Sequence, residues 1–468
     1  MSNYNYNEIF CKPNQNLYPN MTEPSERMFD AYESGDLVAK PFVGSTAPWL
    51  YENCKNWTLN IPFNQGSCKE LFHFNVIGDD PTTSSGGTVV MDYGSQMLRC
   101  DLLNFSPIGD ISYLLAGCDR LETIYFNNTN VSLVNNLAYA FYNCSNWRGS
   151  NLSNWNISNV TNMAGLFSGC SQLQNSFLNI STWNTYKVNN FHSLFLGCSN
   201  LIFLDLTKWN VQNVTNLDSA FGWCSRLSSL NLAGWNISKV TSLKSTFQSL
   251  NNMSSLNLSG WNTSSVQTMS STFFGARGSI PWLETWDTSN VTRTDLFLCQ
   301  SNVSGSLNLS NWKMNKVTNM YRMFYYLNGV IPSLNLAGWN IGLVNNLYIA
   351  ISYCKNLTSL NVAGWNTKNV INYYGTFNYD LNLQTIDLTG WNLVNATNIT
   401  RMFGYCNNLS NASLINIATV LLTATKITSK NLDNGNPYSP FNRSNKKLNA
   451  ATIGSTLVSQ LQANGWTL

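Results

Sequence analysis

Polar and apolar residues alternate over short stretches that recur along most of the chain. In residues 227–250, for example, Leu230 and Leu232 are flanked and separated by serine, asparagine or alanine. Such alternation predicts a β-strand with one buried face, because successive side chains of a strand point to opposite sides. Gly234 follows directly and supplies a residue suited to a tight turn.

The apolar spacing changes after this turn. Val240, Leu243 and Phe247 lie three and four residues apart, which is the spacing of one face of a short helix. Each unit is therefore expected to contain a strand, a turn and a short helix. A parallel strand then starts the next unit, and this order of elements is that of a leucine-rich repeat.

A tryptophan marks the period of these units. Successive members of the series are separated by 25 to 28 residues. A fixed period of this size indicates a solenoid, in which each unit buries its apolar face by stacking on its neighbours. We therefore expect an α/β repeat solenoid of about 12 units, with a parallel sheet on one face and short helices on the other. The series comprises Trp155, Trp183, Trp209, Trp235, Trp261, Trp286, Trp312, Trp339, Trp365 and Trp391.

Two interpretations of this tryptophan series compete. In the first, the rings form a structural ladder inside the coil, at the corner where the usual leucine-rich repeat has asparagine. In the second, the rings form an exposed row on which sugars stack, which requires an unusually large apolar patch on the surface. The regular spacing and the matching flanking residues favour the structural ladder.

The units resemble those of a known family. Residues 152–173 (LSNWNISNVTNMAGLFSGCSQL) and 256–274 (LNLSGWNTSSVQTMSSTFF) are similar to the repeats of BspA-like leucine-rich-repeat proteins, and the resemblance covers roughly residues 95–410. It implies the leucine-rich-repeat fold and a role in adhesion, as in bacterial and protozoan surface proteins. It supplies no catalytic residues. The sequence departs from the family in having no recognisable export signal and no wall or lipid anchor.

The cysteines follow the same period. Five of them lie fifteen residues after a repeat tryptophan, where sister units carry Leu250 or Ala276. A position that alternates between cysteine and small apolar residues predicts a buried structural thiol. The five are Cys170, Cys198, Cys224, Cys354 and Cys406. Four others lie off this ladder, and disulfides among them remain an open alternative: Cys11, Cys54, Cys68 and Cys100.

The outward side of the predicted sheet carries a row of amides and carboxylates. Stacked asparagines can hydrogen-bond along a coil, so the row is expected to be structural. The alternative is a hydrophilic binding face for glycans or proteins, since solenoids bind through extended surfaces. Phe203 is the one aromatic residue found beside the row. Its members are Asp205, Asn231, Asn257, Asn308, Asn335, Asn361 and Asp387.

One stretch interrupts the regular pattern. Residues 273–284 are irregular and contain Arg277, Trp282 and Glu284. The simpler explanation is a loop whose sequence has drifted. The alternative is a binding ridge, because aromatic and arginine residues are frequent anchors of interfaces.

The period is lost at both ends of the chain. Residues 1–95, which are rich in proline, are expected to cap the solenoid or dock it onto a larger assembly, because terminal repeats otherwise expose apolar faces. Residues 96–410 form the solenoid. Residues 411–468 are expected to form a C-terminal cap with helices at 412–425 and 450–464.

Charge and histidine content limit the possible functions. Only 10% of residues are charged and the net charge is +3, so neither nucleic-acid binding nor membrane insertion is indicated. The two histidines, His73 and His192, stand outside any catalytic or zinc motif. We therefore expect no enzyme activity, no cofactor and no metal.

These observations favour a non-enzymatic attachment protein. We expect a virion-associated phage fibre or decoration protein, made in the host cytoplasm, that recognises a protein or glycan receptor. The alternative is a BspA-like adhesin on the surface of a bacterium or protozoan. The ligand and the oligomeric state stay undetermined at this stage.

Overall fold

The computed structural model describes most of the repeat region and both C-terminal helical segments. Contacts within the chain divide it into two compact units, Met1–Leu227 and Ser228–Leu468, which are described separately below. The described backbone covers residues 31–33, 37–39, 56–60, 99–103, 107–127, 129–433 and 435–468. Cys11, Cys54, Cys68 and His73 lie outside these residues.

The first unit contains eight described strands, β1 to β8. β3 and β4 pair in parallel, as do β4 and β6, and β1 pairs antiparallel with both β2 and β3. β5 pairs in parallel with β7. Strands from the region before the repeats thus extend the sheet of the first coils. The strands are β1 (Ala31–Glu33), β2 (Leu37–Ala39), β3 (Asn56–Asn60), β4 (Arg99–Leu103), β5 (Gly109–Asp110), β6 (Thr123–Asn127), β7 (Val134–Asn136) and β8 (Phe203–Asp205).

Most coils of the second unit contain one short strand. Adjacent strands pair in parallel one repeat apart, for example Leu334 of β14 with Leu360 of β15. The central leucine is buried while its two neighbours are not, so each strand has the one buried face that the alternation predicts. The strands are β9 (Ser229–Asn231), β10 (Ser255–Asn257), β11 (Arg277–Ser279), β12 (Asn302–Ser304), β13 (Leu307–Asn308), β14 (Ser333–Asn335), β15 (Ser359–Asn361) and β16 (Thr385–Asp387).

In each unit the described leucine-rich repeats therefore form a parallel-strand solenoid, as the period predicts. Its core lies between the strands and the opposite, turn-forming side of each coil. Leucines of the strands, repeat tryptophans and phenylalanines such as Phe247 and Phe377 are all buried there. Each coil closes this core by packing against its neighbours, which is how a solenoid buries its apolar surface.

The short helix predicted in each coil is wrong. In residues 243–249, alternate backbone N–H groups donate to the next coil, as Phe247 does to the carbonyl of Thr272 at 2.9 Å. Ser245 and Ser249 have φ angles of 54° and 58°. Such left-handed residues interrupt a right-handed helix, and this side of the coil is a series of tight turns.

The physical reason lies between coils rather than within one. An α-helix uses its N–H groups inside the segment, whereas here the neighbouring coil supplies the acceptors. Short parallel bridges continue along this side, such as Asn162 with Asn190 and Asn346 with Asn372. Val240 and Leu243 are buried all the same, so the apolar spacing predicts burial correctly but assigns the wrong backbone conformation.

Helices occur at the C-terminal end. α1 (Asn411–Leu421) coincides with the helix predicted at 412–425, and its N-cap Ser410 accepts a hydrogen bond from the backbone N–H of Ser413. The second predicted helix is divided into α2 (Ala450–Ile453) and α3 (Ser455–Ala463). Gly454 separates them with a φ of 84°, which a continuous helix excludes.

Candidate functional site

The repeat tryptophans lie in the interior. All ten are at most 7% exposed. In the first unit Trp155, Trp183 and Trp209 are stacked, with ring centroids 6.4 and 6.2 Å apart. In the second unit Trp339 and Trp365 are nearly parallel at 5.5 Å. A buried ring has no open face for a sugar, so a ligand must be sought elsewhere.

The polar row lies on the outer side of the strands, where its members are half-exposed or exposed. In every member a side-chain oxygen accepts a hydrogen bond from the backbone N–H two residues later, at 2.9 to 3.3 Å. Asparagine and aspartate favour this local turn because their short side chains reach their own backbone. The row thus ends each strand and starts the turn that leads to the buried tryptophan.

Direct bonding along the row is observed between two coils. Asn335 Nδ2 donates to Asn308 Oδ1 at 3.0 Å. Similar local turns follow the tryptophans, as at Asn236 and Ser238, and occur on the turn side, as at Asn162 and Ala164. Asparagine is therefore used up to three times in a coil to close a turn, which accounts for the high asparagine content.

The irregular segment 273–284 has two distinct parts. Arg277 is exposed at the start of β11, and Trp282 is half-buried in a 3₁₀ helix, Pro281–Thr285. Glu284 is exposed, and its Oε1 accepts a hydrogen bond from the backbone N–H of Asn308 at 3.0 Å. β13 pairs with β14, and the carboxylate takes the place of a strand on the other edge of β13, which is a structural role.

An open cavity of about 410 Å³ lies on the strand side of the first unit. It arises where the repeat between Trp155 and Trp183 is 28 residues long. The additional residues form turns at 175–177 instead of a strand. A recess remains beside β8, at the place where a regular coil would continue the sheet.

Asn175 holds this recess open. Its Oδ1 accepts from the backbone N–H groups of Ile202 and Phe203, at 2.8 and 3.3 Å. Its Nδ2 donates to the Phe203 carbonyl oxygen. One side chain thus provides the hydrogen bonds that a neighbouring strand would provide, and β8 stays ordered without it.

The cavity combines an aromatic ring with several polar groups. Phe203 lines the cavity and is 57% exposed. The lining of the cavity also includes Asn179, Asp205 and Lys208. Thr207 donates its backbone N–H and its hydroxyl to the same carboxylate oxygen, Oδ1 of Asp205. The Asp205 side chain is consequently held in place while remaining exposed.

A second exposed aromatic residue, Phe177, lies in the chain between Ser176 and Leu178, which line the cavity, and it was not identified from the sequence. Phe177 lies six residues before Trp183, just as Phe203 lies six residues before Trp209. It is 47% exposed. The extra residues of the lengthened repeat shift the strand pattern. The equivalence of positions 177 and 203 is therefore visible only when both are counted back from the following tryptophan.

The ladder thiols are buried and hydrogen-bonded. Cys170 Sγ lies 3.0 Å from the carbonyl oxygen of Phe141, and Cys198 Sγ lies 3.0 Å from that of Phe167. Burial raises the pKa of both thiols above the usual range, and raises the pKa of Cys224 to about 12. Nucleophilic use is disfavoured because the thiolate is the reactive form. Cys100 is likewise buried, in β4.

Histidine and metal-binding groups are further candidates for a site among the described residues. His192 is half-buried with Nε2 3.2 Å from the Ser193 hydroxyl. No group of three or more histidine, cysteine or acidic residues is placed to hold a metal ion within the ranges that the structure describes. Over the same ranges, none of the helices combines the length and apolar character needed to cross a membrane.

The chain was compared with known proteins. No curated protein matches it. A leucine-rich repeat protein from Bacteroides ovatus is 15% identical, with 61% of this chain and 77% of that chain covered and a TM-score of 0.26. An internalin from Listeria monocytogenes is 12% identical over 79% and 92% of the two chains, with a TM-score of 0.22. A leucine-rich repeat protein from Eubacterium ventriosum is 12% identical over 76% and 85%, with a TM-score of 0.21.

Because the identities are 12 to 15% and the TM-scores are at most 0.26, these similarities indicate nothing about the ligand or the function of this chain. The chain also matches a sequence family in four overlapping segments. Residues 109–228, 175–278, 241–347 and 330–434 each match one family, and together they span more than half of the chain. The chain belongs to the family described as "Mycoplasma protein of unknown function, DUF285".

Proposed function

We propose that this chain is a non-enzymatic binding protein that holds a saccharide receptor in the strand-side cavity of the first unit. The observation that carries the proposal is the exposed ring of Phe203 beside the fixed carboxylate of Asp205, within an open cavity of about 410 Å³. A recess of this size accommodates a small ligand or one or two sugar rings of a longer chain.

The chemistry of the lining fits a polyhydroxylated ligand. A sugar has an apolar face of C–H groups, which packs on an aromatic ring, and a rim of hydroxyls that need donors and acceptors. Phe203 provides the ring, while Asp205, Asn179 and Lys208 provide acceptors and donors. Leu178 and Ile180 are buried below them, so the floor of the cavity is well packed and the polar groups are presented by a rigid scaffold.

The repeats themselves suggest variants that should fold. Position 203 is Ser229 in a sister coil, and position 205 is Asn231. We therefore expect Phe203→Ser and Asp205→Asn to retain the fold and to lose binding. The probe is an array of neutral and acidic oligosaccharides, followed by calorimetric titration with the oligosaccharide that gives the strongest signal. Each substitution should weaken that interaction by roughly tenfold or more.

Matched control variants lie in the second unit. Ser255→Ala and Asn257→Asp alter the same two repeat positions in a regular coil, and we expect them to bind the oligosaccharide with unchanged affinity. The proposal fails if the wild-type chain binds no oligosaccharide on the array, or if Phe203→Ser binds as tightly as wild type.

We propose that the chain acts as an attachment protein on a virion. The alternative is an adhesin on the cell surface. The resemblance to adhesive repeat proteins supports attachment in either setting. Mass spectrometry of purified particles tests the first, and antibody labelling of intact cells tests the second. Detection on cells with none in particles would overturn the virion assignment.

A further inference from the structure

Tyrosines form stacked columns on the turn side of the second unit. One column contains Tyr353, Tyr379 and Tyr405, with consecutive ring centroids 4.4 and 3.9 Å apart. Its members lie fourteen residues after a repeat tryptophan, as does Tyr326, whose ring is 6.0 Å from that of Tyr353. All four side chains are half-exposed. We call these four residues the tyrosine stripe.

A second column runs beside the stripe. Tyr321, Tyr348 and Tyr374 lie nine residues after a repeat tryptophan and are stacked at 5.8 and 5.2 Å. These rings are half-exposed too. The two columns together make a broad surface of ring edges and phenolic hydroxyls, which is repeated in the three coils that follow Trp312, Trp339 and Trp365.

Cationic side chains lie on these rings. The guanidinium of Arg322 is 5.1 Å from the centroid of Tyr321, and Lys355 Nζ is 5.5 Å from that of Tyr326. Arg443 Nη1 donates to the Tyr405 hydroxyl at 2.8 Å. Hydrogen bonding with Tyr379 and with Arg443 lowers the pKa of the Tyr405 hydroxyl. The positive charges are thus held against the aromatic surface by cation–π contacts and hydrogen bonds.

This charge is not balanced locally. Within residues 313–443, the cations that contact the tyrosine rings are Arg322, Lys355 and Arg443, and the acidic residues are Asp380, Asp387 and Asp433. Asp387 belongs to the strand side, and Asp433 accepts a hydrogen bond from the backbone N–H of Gly435 in its own turn. Asp380 is buried, and burial raises its pKa well above the ordinary value, which favours the neutral acid. The surface with the tyrosine columns therefore has a positive potential, although the whole chain is nearly neutral.

The stacking of the tyrosine rings limits the kinds of ligand that can bind this surface. Each ring inside a column has its faces covered by its neighbours, so neither nucleotide bases nor sugar rings can stack there as they do on open aromatic faces. Ring edges, hydroxyls and guanidinium groups remain. Tyrosine and arginine dominate the binding energy of protein interfaces, and a ring that is already stacked loses little conformational entropy on binding.

We propose that the tyrosine stripe and its cations form a second binding surface, for an acidic segment of a protein partner. It lies in a different unit from the saccharide cavity and does not depend on that proposal. Carboxylates of the partner pair with Arg322, Lys355 and Arg443, while its backbone and apolar groups pack on the tyrosine edges.

The probe is fluorescently labelled poly-L-glutamate, measured by anisotropy with the full chain. We expect saturable binding that weakens as salt is added. The triple variant Arg322→Gln, Lys355→Gln, Arg443→Gln should bind at least about tenfold more weakly. The matched control changes the same number of charges in the corners after the repeat tryptophans, with Lys313→Gln, Lys316→Gln and Lys368→Gln, and should change the affinity by less than about twofold. Equal losses in the two triple variants would overturn the proposal.

A second pair of variants separates the tyrosines from the charge. Asn143 occupies the position of the tyrosine stripe in the first unit, with a φ of 57°, so Tyr353→Asn and Tyr379→Asn suit the local backbone. Each should reduce poly-L-glutamate binding by about fivefold while thermal unfolding shows an intact fold. Heparin is the comparison: if binding of poly-L-glutamate, like binding of heparin, is unchanged in both variants, the surface is a general polyanion site and the proposal is wrong. Saccharide binding at Phe203 should be unaffected by all of these variants.

Discussion

The indole N–H of Trp365 donates a hydrogen bond to the backbone carbonyl of Leu336, at 2.7 Å and from one coil to the coil before it. Trp183, Trp312 and Trp391 make the same bond to carbonyls 29 to 31 residues earlier. Each indole therefore fills a corner of its own coil and satisfies a buried acceptor in the neighbouring one. The stack is held by packing and by a repeated hydrogen bond at the same position.

Replacing a repeat tryptophan with phenylalanine removes the indole N–H and part of the ring. The resulting loss in the free energy of unfolding shows how much this hydrogen bond stabilises the fold. Trp365→Phe should lower the free energy of unfolding by more than Trp286→Phe, by about 1–3 kcal/mol. Both rings are buried, but the Trp286 N–H has no hydrogen-bond partner among the described residues. Trp286→Phe thus leaves no acceptor unsatisfied. Denaturant titration of the two variants gives the comparison, and equal losses would show that packing alone stabilises the corner.

Asp380 should make stability depend on pH. It occupies the position of Cys354 and Cys406 in neighbouring coils, and its Oδ1 accepts from the Cys354 backbone N–H at 2.8 Å. Burial raises its pKa well above 3.8. Because the folded state binds the proton more tightly, the stabilising contribution is present below the unfolded pKa and is lost as the pH rises toward the folded pKa.

Asp380→Asn keeps the acceptor and removes the titration. We expect wild type and variant to have similar stability near pH 4, and the variant to be more stable at pH 8 by roughly 1–3 kcal/mol. Urea titrations at several pH values measure this. A slope that persists in Asp380→Asn would contradict the assignment.

Gly329 allows two coils to approach closely. A Cβ at this residue would overlap the carbonyl oxygen of Val303. Gly329→Ala must therefore displace backbone and should cost at least about 2 kcal/mol. Gly435→Ala is the control, since its Cβ would meet only the Asp433 side chain, at 3.7 Å. The measurement is the shift in thermal midpoint, and equal shifts would show that the coils can separate without cost.

The ladder thiols should be unreactive in the folded chain. Cys170, Cys198 and Cys224 are buried and their pKa values are raised, so almost no thiolate is present at pH 8. We expect iodoacetamide to modify them only after denaturation, as followed by mass spectrometry of peptides. Rapid modification of the native chain at these cysteines would show that the coils open readily.

The candidate site was only partly accessible to sequence reasoning. Asp205 and Phe203 were recognised on the outer side of the strands, because the alternation of polar and apolar residues gives the direction of each side chain. The cavity beside them was not, because it depends on a strand that is missing from the preceding coil. Phe177 and Asn175 gain their meaning only when residues 28 positions apart in the chain lie side by side.

The tyrosine columns were missed for a similar reason. Tyr353 and Tyr379 are unremarkable within their own coils, and a helical interpretation of that side separates them from their real neighbours. Stacking in register brings them to 4.4 Å. Contacts of this kind are formed between coils, so no single repeat contains them.

By itself, the sequence determined the period, the strand positions of the regular coils and the buried residues, because apolar spacing records which side chains avoid water. It could not decide the conformation of the turn side. There the backbone N–H groups are satisfied by the neighbouring coil rather than by residues three or four positions away, as Phe247 is by Thr272. The tertiary structure alone decided this, since a backbone donor takes whichever buried acceptor the packed coils place within reach.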